Sequence, residues 1–296
     1  MKRTLTIPML VCFILLTGLD IGSGGFAADL SDIQARGVLR HLGIPYANFV
    51  TGSGDGLEVE TMQLFARHLG VRYEFVKTSF AEVIADLAGI KVAPRGEEAE
   101  MLGEAPIKGD VIATGFTVLP WRQKVVDYSV PTFPTQVWLV VRADSSLKPI
   151  VPSGSMARDI AQTKKLLRGR TCLAILKTCL DPSLYQLADT GAKIKLYNGN
   201  LNELVPALLN GEAETTILDV PTALLDLEKW AGKIKVIGPI SEPQDMAAAF
   251  PKSAPHLREA FNRFFAQIKK DGTYNRLVKK YYPAVTAYFP KFFASR

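Results

Sequence analysis

Apolar and polar residues alternate along this chain in a repeated succession of short strands and amphipathic helices. Residues 58–69 carry apolar side chains at helical spacing and end at Gly70, and residues 71–77 then alternate as a strand does. Further strands are predicted at residues 38–44, 111–113, 135–142, 171–176, 193–197, 215–218, 233–237 and 246–250, most of them separated by helical segments. The pattern predicts an α/β fold with mostly parallel sheets, in which ligands bind beyond the carboxyl ends of the strands.

Two changes in composition divide this succession into lobes. Residues 145–155 are rich in Ser, Pro, Gly and Lys, and the chain changes again near Ser241 before a long amphipathic helix over residues 255–270. If that helix packs on the first half, the chain crosses twice, near Ala143 and near Ser241, and the two crossings form a hinge. We therefore expect lobe 1 to comprise residues 29–142 and 243–296, and lobe 2 to comprise residues 143–242.

The first residues have the character of a targeting signal. Lys2 and Arg3 precede an apolar run over residues 5–19, and small residues follow. This run is shorter than the roughly 20 residues of a spanning helix and predicts a signal peptide over residues 1–28, cleaved near Ala27 or Ala28. Because no second apolar segment is long enough to span, we expect an exported, soluble, periplasmic protein.

Composition narrows the classes of function. The chain has 48% hydrophobic and 22% charged residues, which is typical of a globular protein, and its net charge of +6 is spread without a basic stripe. A nucleic-acid partner is therefore not expected. The three histidines are scattered and there is no CxxC pair, so neither a metal site nor a cofactor is predicted. Cys172 opens the apolar run CLAIL and Cys179 follows it, so an extended strand would hold the two beyond the roughly 7 Å reach of a disulfide.

One segment interrupts the rhythm of strands and helices. Residues 89–108 contain two prolines, three glycines and four glutamates, Glu97, Glu98, Glu100 and Glu104. We interpret this segment as an exposed insertion with one helical turn, and solvated charge explains its glutamates better than a partner site does.

The candidate chemistry lies between Gly109 and Ser129, in GDVIATGFTVLPWRQKVVDYS. A short strand ends at Ala113, and the hydroxyl of Thr117 and the guanidinium of Arg122 follow just beyond it. Arginine offers a planar, permanently charged fork that matches the two oxygens of a carboxylate, and a hydroxyl can donate to a remaining lone pair. The alternative is that Arg122 is an ordinary surface arginine.

Three segments in order resemble the family 3 solute-binding proteins, the periplasmic polar amino-acid receptors of ABC transporters. They are GLEVETMQLFARHLGV, GFTVLPWRQKVVDYS and LREAFNRFFAQIKKDGTYNRLVKKYYP, and the resemblance covers nearly the whole chain beyond the leader. It implies the two-lobed type II fold of periplasmic binding proteins. It also implies a monomeric, non-enzymatic receptor that closes on an amino acid or similar small zwitterion and delivers it to a membrane ABC permease.

The resemblance also assigns roles to individual residues. Arg122 would hold the α-carboxylate of the ligand, with help from Thr117 and the backbone at Gly115, and Asp219 would pair with the α-ammonium group. Tyr46 is similar to an aromatic wall of the site, and Thr178 lies in the second-lobe loop that donates to the carboxylate. Two alternatives come from the residues alone: Asp219 before Val-Pro is a good helix N-cap, and Tyr46 is a packing residue.

The chain departs from the family pattern at several positions. Leu119 replaces a second threonine, Trp121 replaces an acidic residue, and the second-lobe loop reads Lys177-Thr178-Cys179 in place of Gly-Thr-Thr. Two other functions stay open on this scaffold. One is a periplasmic enzyme that resembles the cyclohexadienyl dehydratases, which would need a general acid near the bound carboxylate. The other is a receptor that signals to a membrane protein without transport.

Overall fold

The structure, a computed structural model, describes residues 27–294, so the predicted signal peptide lies outside the described residues up to residue 26. The strands are β1 (Val38–Gly43), β2 (Arg72–Lys77), β3 (Ile90–Arg95), β4 (Glu98–Glu104), β5 (Val111–Ile112), β6 (Val126–Tyr128), β7 (Phe133–Thr135), β8 (Val137–Arg142), β9 (Thr171–Ala174), β10 (Lys193–Leu196), β11 (Thr215–Asp219), β12 (Ile234–Pro239), β13 (Gln244–Met246) and β14 (Ala249–Pro251). The helices are α1 (Leu30–Arg36), α2 (Leu57–Leu69), α3 (Val83–Ala88), α4 (Pro120–Gln123), α5 (Met156–Lys165), α6 (Leu204–Leu209), α7 (Val220–Lys229), α8 (Pro255–Lys270), α9 (Thr273–Tyr281), α10 (Val285–Tyr288) and α11 (Pro290–Phe293).

The predicted two-lobed α/β architecture is confirmed by two five-stranded sheets of matching design. The first has the order β2-β1-β5-β14-β6 and the second the order β10-β9-β11-β8-β12. In each sheet four strands run in one direction, and a single strand, β14 or β8, runs against its neighbours. Mostly parallel sheets bury both faces, and β11 is accordingly buried at every position.

One expected boundary differs from the structure. We assigned residues 137–142 to lobe 1, but β8 lies in the second sheet, between β11 and β12. The chain therefore crosses near Gln136 and not near Ala143. Sheet membership depends on pairing with strands far along the chain, and the apolar pattern of β8 suits either sheet.

The two crossings are joined to each other at the hinge. β7 and β13 form a two-stranded antiparallel ribbon. Just beyond it, the side-chain amide of Gln136 donates to the carbonyl of Ser241 at 2.9 Å, and the hydroxyl of Ser241 accepts from the amide of Val137 at 2.9 Å. The hinge is thus a pair of hydrogen-bonded strands, and rotation about it would open or close the cleft between the sheets.

The insertion at residues 89–108 forms a β-hairpin, so the expected helical turn is wrong. β3 and β4 pair in antiparallel register across a tight turn at Gly96, whose φ is +65°. All four glutamates are exposed, as expected. The amide of Ala105 donates to the carbonyl of Gly89 at 2.8 Å, so the hairpin leaves and rejoins the first lobe at one place.

The C-terminal segment returns to the first lobe, as predicted. α8 packs on β14 and on α2, where the rings of Phe65 and Phe261 meet at 5.2 Å between centroids. No helix within residues 27–294 has both the length and the apolar character that a bilayer crossing requires.

Smaller differences concern the ends of elements. The helix predicted over residues 183–188 is a pair of short 3₁₀ helices, Pro182–Tyr185 and Leu187–Thr190, although Asp181 caps the first of them as expected. The strand predicted over residues 246–250 is divided between β13 and β14. Neither difference moves a candidate site residue.

Candidate functional site

The residue before β5, Asp110, is held by two ion pairs and so fixes the start of the strand that leads into the loop. Asp110 is fully buried and accepts from the guanidinium groups of Arg36 at 2.6 Å and Arg40 at 2.8 Å. Beyond β5 the chain turns at Gly115, whose φ is +64°, and a β-carbon there would come within 2.4 Å of the ring of Phe49. Glycine is required at this turn by conformation and by space. The loop that carries Thr117 and Arg122 is therefore held in one position.

Arg122 is only 1% exposed, so its interpretation as a surface arginine is wrong. It lies on α4, which begins at Pro120, and its guanidinium carbon is 4.0 Å from the centroid of the Phe116 ring. One terminal nitrogen donates to the carbonyl of Thr117 at 3.0 Å, and the other reaches the carbonyl of Lys177 in the second lobe at 3.4 Å. Its guanidinium also lies 5.4 Å from the centroid of the Trp121 ring. Among the described residues no carboxylate pairs with its positive charge, which favours an anion beside it.

Two buried donor groups of this loop lack a hydrogen-bond partner in the part of the chain that the structure describes. Among the described residues, neither the hydroxyl oxygen of Thr117 nor the Nε of Arg122 has a hydrogen-bond partner, and both are buried. Buried polar groups are almost always paired, and leaving one unpaired costs about 1–3 kcal/mol. A hydroxyl and a guanidinium N–H are the donors that a carboxylate accepts.

In the second-lobe loop, Lys177 adopts a backbone conformation that is usual for glycine. Lys177 has φ +62°, a left-handed conformation that costs an L-residue about 1–2 kcal/mol. This turn directs the carbonyl of Lys177 towards Arg122. The hydroxyl of Thr178, by contrast, donates to the carbonyl of Ile175 at 2.8 Å and accepts from the amide of Leu180 at 3.0 Å. Thr178 is thus engaged within its own turn, and the structure does not bring its hydroxyl to Arg122.

Asp219 ends β11 and begins α7, and it is 1% exposed. Its carboxylate accepts from the amide of Thr222 at 3.4 Å, so it is the helix N-cap that the sequence allowed. The same carboxylate accepts from the hydroxyl of Tyr46 in the first lobe. Burial raises the pKa of Asp219 to about 6, against the bonds from Thr222, which lower it. Capping and a position facing the opposite lobe coexist at this residue.

Tyr46 joins the two lobes. It is 1% exposed, its ring stacks on Phe49 at 5.8 Å and meets the edge of Phe80 at 5.7 Å, and its hydroxyl also lies 3.4 Å from that of Thr222. The packing role that the sequence left open is confirmed, and the role as a wall of a ligand site stays a prediction. Tyr46 packs in the core of the first lobe, and its polar end reaches Asp219.

Cys179 lies between the two ends of the site. Its sulfur is 3.8 Å from a carboxylate oxygen of Asp219. Burial raises the pKa of its thiol, while the charge of Arg122 and the hydroxyl of Thr117 act in the opposite direction because both are close. Cys172 and Cys179 are both buried and unbridged. Cys179 thus contacts the carboxylate of Asp219 and lies close to Thr117 and Arg122 of the opposite lobe.

Three residues of this site were missed by the sequence analysis. Thr222 had a signal, because a residue three positions after an N-cap donates its amide to that cap. Phe80 had none, since its position beside Tyr46 is purely tertiary. Glu58, at the start of α2, is buried against the hydroxyl of Thr132 at 3.3 Å, and burial raises its pKa to about 7. Within the described residues no cluster of His, Cys, Asp and Glu has the form of a metal site.

Comparison with known proteins shows the family and the fold of this chain. The sequence model of the bacterial extracellular solute-binding proteins, family 3, matches residues 100–284. The L-cystine-binding protein TcyJ of Escherichia coli is 24% identical over 276 residues, which cover 91% of this chain and 92% of TcyJ. The crystal structure of the P235GK mutant of ArgBP from T. maritima superposes with a TM-score of 0.68 at 25% identity and covers 86% of this chain and 99% of that one.

A relative of another kind shares the same scaffold. The membrane-bound lytic murein transglycosylase F of Desulfosudis oleivorans is 28% identical over 237 residues, which cover 79% of this chain. The matched part is 45% of the length of that protein, so the chain spans less than half of it.

Proposed function

Because this chain belongs to the bacterial extracellular solute-binding proteins of family 3, we propose that it is a receptor that closes on an amino acid or a similar small zwitterion. In this proposal Arg122, Thr117 and the backbone at Gly115 bind the α-carboxylate, and Asp219 binds the α-ammonium group. Tyr46 forms a wall of the site, and the loop at Thr178 closes over the carboxylate from the second lobe.

The observation that carries the proposal is the environment of Arg122. Within residues 27–294 no carboxylate pairs with this buried guanidinium, and the buried hydroxyl of Thr117 has no hydrogen-bond partner, which is costly in an unliganded protein. An incoming carboxylate would compensate this cost by pairing with the charge and accepting from the spare donors. A neutral ligand would leave the positive charge of Arg122 without a counter-charge.

Closure follows from the position of the opposite charge. Arg122 is on the first lobe and Asp219 on the second, so a zwitterion satisfies both only when the lobes are together. A ligand with such a differential affinity shifts the population towards the closed state. Exclusion of water would strengthen both ion pairs.

A thermal-shift screen against the common amino acids tests the proposal. A ligand at 100 times its dissociation constant adds about 2.7 kcal/mol to the free energy of unfolding, which raises the melting temperature measurably. We expect at least one amino acid to stabilise the wild type and not Arg122→Ala. A screen in which no amino acid stabilises the protein, while its calorimetric unfolding remains cooperative, would reject the assignment.

We further propose that the protein is exported to the periplasm, acts as a monomer and delivers its ligand to an ABC permease. The leader at residues 1–28 and the family membership support this route. Fractionation of cells that express the full chain should place the processed protein in the periplasm. Pull-down with closed, ligand-bound protein should recover an ABC permease, whereas recovery of a sensor protein would favour signalling without transport.

An enzyme on this scaffold is the second candidate, and two buried acids favour it. The pKa of Asp219 is raised to about 6 and that of Glu58 to about 7, values suited to a general acid. We nevertheless propose a binding protein, because Asp219 already pairs with Tyr46 and Thr222, and Glu58 bonds to the backbone of Gly115 and to the hydroxyl of Thr132. Incubation with prephenate separates the two, since turnover that is lost in Asp219→Asn would establish the enzyme.

A further inference from the structure

One face of α7 continues the site beyond Asp219. Thr222 and Asp226 follow Asp219 at intervals of three and seven residues, which places all three on one side of the helix. The hydroxyl of Thr222 contacts Tyr46, and Asp226 lies one helical turn further along. The face therefore presents a carboxylate, a hydroxyl and a second carboxylate in line, over about 10 Å at the helical rise.

Asp226 lines a cavity of about 440 Å³ at the rim of the cleft. Both lobes contribute to it: Ala47 and Asn48 from the first, and Asn202, Thr222 and Asp226 from the second. The amide of Ala47 donates to the side-chain oxygen of Asn202 at 3.0 Å across the boundary. The cavity is thus completed only when the lobes are together, like the clamp itself.

The carboxylate of Asp226 has an unused acceptor. The residue is 7% exposed, and its Oδ2 atom is buried without a hydrogen-bond partner among the described residues. Burial raises the pKa of Asp226 to about 7, with Lys229 opposing and Asp219 adding to this shift. Such a group gains more from a cation than an exposed carboxylate does, because its ionised form is poorly solvated.

The charged residues that line the cavity all belong to α7. α7 contributes Asp226, the exposed Glu228 and Lys229, and the other elements contribute only Ala47, Asn48 and Asn202. The ammonium of Lys229 lies 5.5 Å from the centroid of the Trp230 ring, so an aromatic face already attracts it. The lining therefore has an acidic excess beside a buried carboxylate.

We propose that this cavity is a second cation subsite, which makes a basic amino acid the preferred zwitterion. The inference rests on the proposed function, because it needs the α-ammonium at Asp219 and the α-carboxylate at Arg122. A ligand with a terminal amine or guanidinium on a flexible side chain would pass Thr222 and reach Asp226. A neutral side chain would leave the Asp226 carboxylate buried and unpaired.

Isothermal titration calorimetry with lysine, arginine and norleucine tests the subsite, since norleucine retains the chain of lysine without its terminal amine. We expect lysine or arginine to bind at least about tenfold more tightly than norleucine, as a charged hydrogen bond implies. Asp226→Asn should remove this preference. Glu228→Gln removes the same charge from an exposed position on the same helix and should change the preference less than about twofold.

A proton readout separates a direct contact from a general field. At pH 7 Asp226 is partly protonated, so a cation that binds beside it should release a proton, seen as a dependence of the measured heat on the ionisation enthalpy of the buffer. Asp226→Asn should abolish the proton release by which lysine or arginine exceeds norleucine, whereas release from Asp219 is common to all three ligands. Equal affinities for lysine and norleucine in a protein that binds both would refute the subsite alone. Binding of neither, nor of any other amino acid, would refute the proposed function as well.

Discussion

The two ends of the proposed clamp differ in how far the protein itself satisfies them. At the Arg122 end, the guanidinium Nε and the Thr117 hydroxyl have no partner among the described residues. At the Asp219 end, the carboxylate accepts from the hydroxyl of Tyr46 and the amide of Thr222. In the proposed clamp, the anion end therefore depends on an external group, whereas at the cation end a ligand must compete with a tyrosine of the opposite lobe. The affinity for an amino acid should depend more on Arg122, whereas the pH dependence of that affinity should depend more on Asp219.

Removal of Arg122 should have the largest effect. We expect Arg122→Ala to weaken amino-acid binding at least about 100-fold, because an ion pair in a buried site loses about 3–5 kcal/mol when one partner is removed. Calorimetry gives the affinity, and thermal unfolding shows whether the variant is folded. Arg122→Lys is the matched control: it keeps the charge but loses the two-pronged geometry, so we expect an intermediate loss. If the wild type and Arg122→Ala bind amino acids with equal affinity, the claim that affinity depends more on the Arg122 end than on the Asp219 end is wrong.

Changing Asp219 should have a smaller and pH-dependent effect. The ionised carboxylate binds the ammonium group, so affinity should fall as the pH falls from 7 to 5, through the raised pKa of about 6. Asp219→Asn should bind amino acids about 10- to 100-fold more weakly, with this part of the pH dependence lost. Titration calorimetry at several pH values measures both. A wild-type affinity that is constant from pH 7 to 5 would contradict the assignment.

The same raised pKa has the opposite consequence for stability. The folded protein favours protonated Asp219, so its contribution to the free energy of unfolding is full below the ordinary pKa of 3.8 and is lost as the pH rises through about 6. Without ligand, Asp219→Asn should therefore be more stable relative to the wild type at pH 8 than at pH 4. Chemical denaturation at the two pH values gives the difference.

Tyr46→Phe tests the Asp219 end of the clamp by removing the hydroxyl that bonds to this carboxylate. Loss of the hydroxyl removes a bond between the lobes worth about 1 kcal/mol, so the unliganded protein should be more open, with a larger radius of gyration by small-angle X-ray scattering. Tyr197→Phe is the control, because that hydroxyl donates to the carboxylate of Glu203 within the second lobe. An equal change of shape in both variants would show that the bond to Asp219 does not hold the lobes together.

The smallest effect is expected at Lys177. Glycine adopts φ +62° without strain, so Lys177→Gly should raise the free energy of unfolding by a few tenths to about 1 kcal/mol, the gain being reduced by the flexibility of glycine in the unfolded chain. Lys177→Ala keeps the β-carbon and should give no such gain. Chemical denaturation of the three proteins tests this. If Lys177→Ala stabilises as much as Lys177→Gly does, backbone strain is not the cause.

The sequence predicted those features that local patterns determine. The loop from Gly115 to Arg122 is one continuous motif, and Asp219 follows a short strand and precedes a proline, so both positions were found. The contact of Tyr46 with Asp219 joins residues 173 positions apart and had no local signal. The sheet membership of β8 and the hairpin at residues 90–104 were missed for the same reason, because pairing partners decide both. The buried state of Arg122 also depends on tertiary packing, against Phe116 and the loop at Lys177.

The central claim is that Arg122 holds the carboxylate of a zwitterion while Asp219 holds its ammonium group. The most direct test is calorimetry on the wild type with the best amino acid of the screen, its decarboxylated amine and its deaminated acid, at pH 7.5. We predict that the amine, which leaves Arg122 unpaired, binds at least about 100-fold more weakly than the amino acid, and that the acid loses less. An amine that binds as tightly as the amino acid would contradict the account.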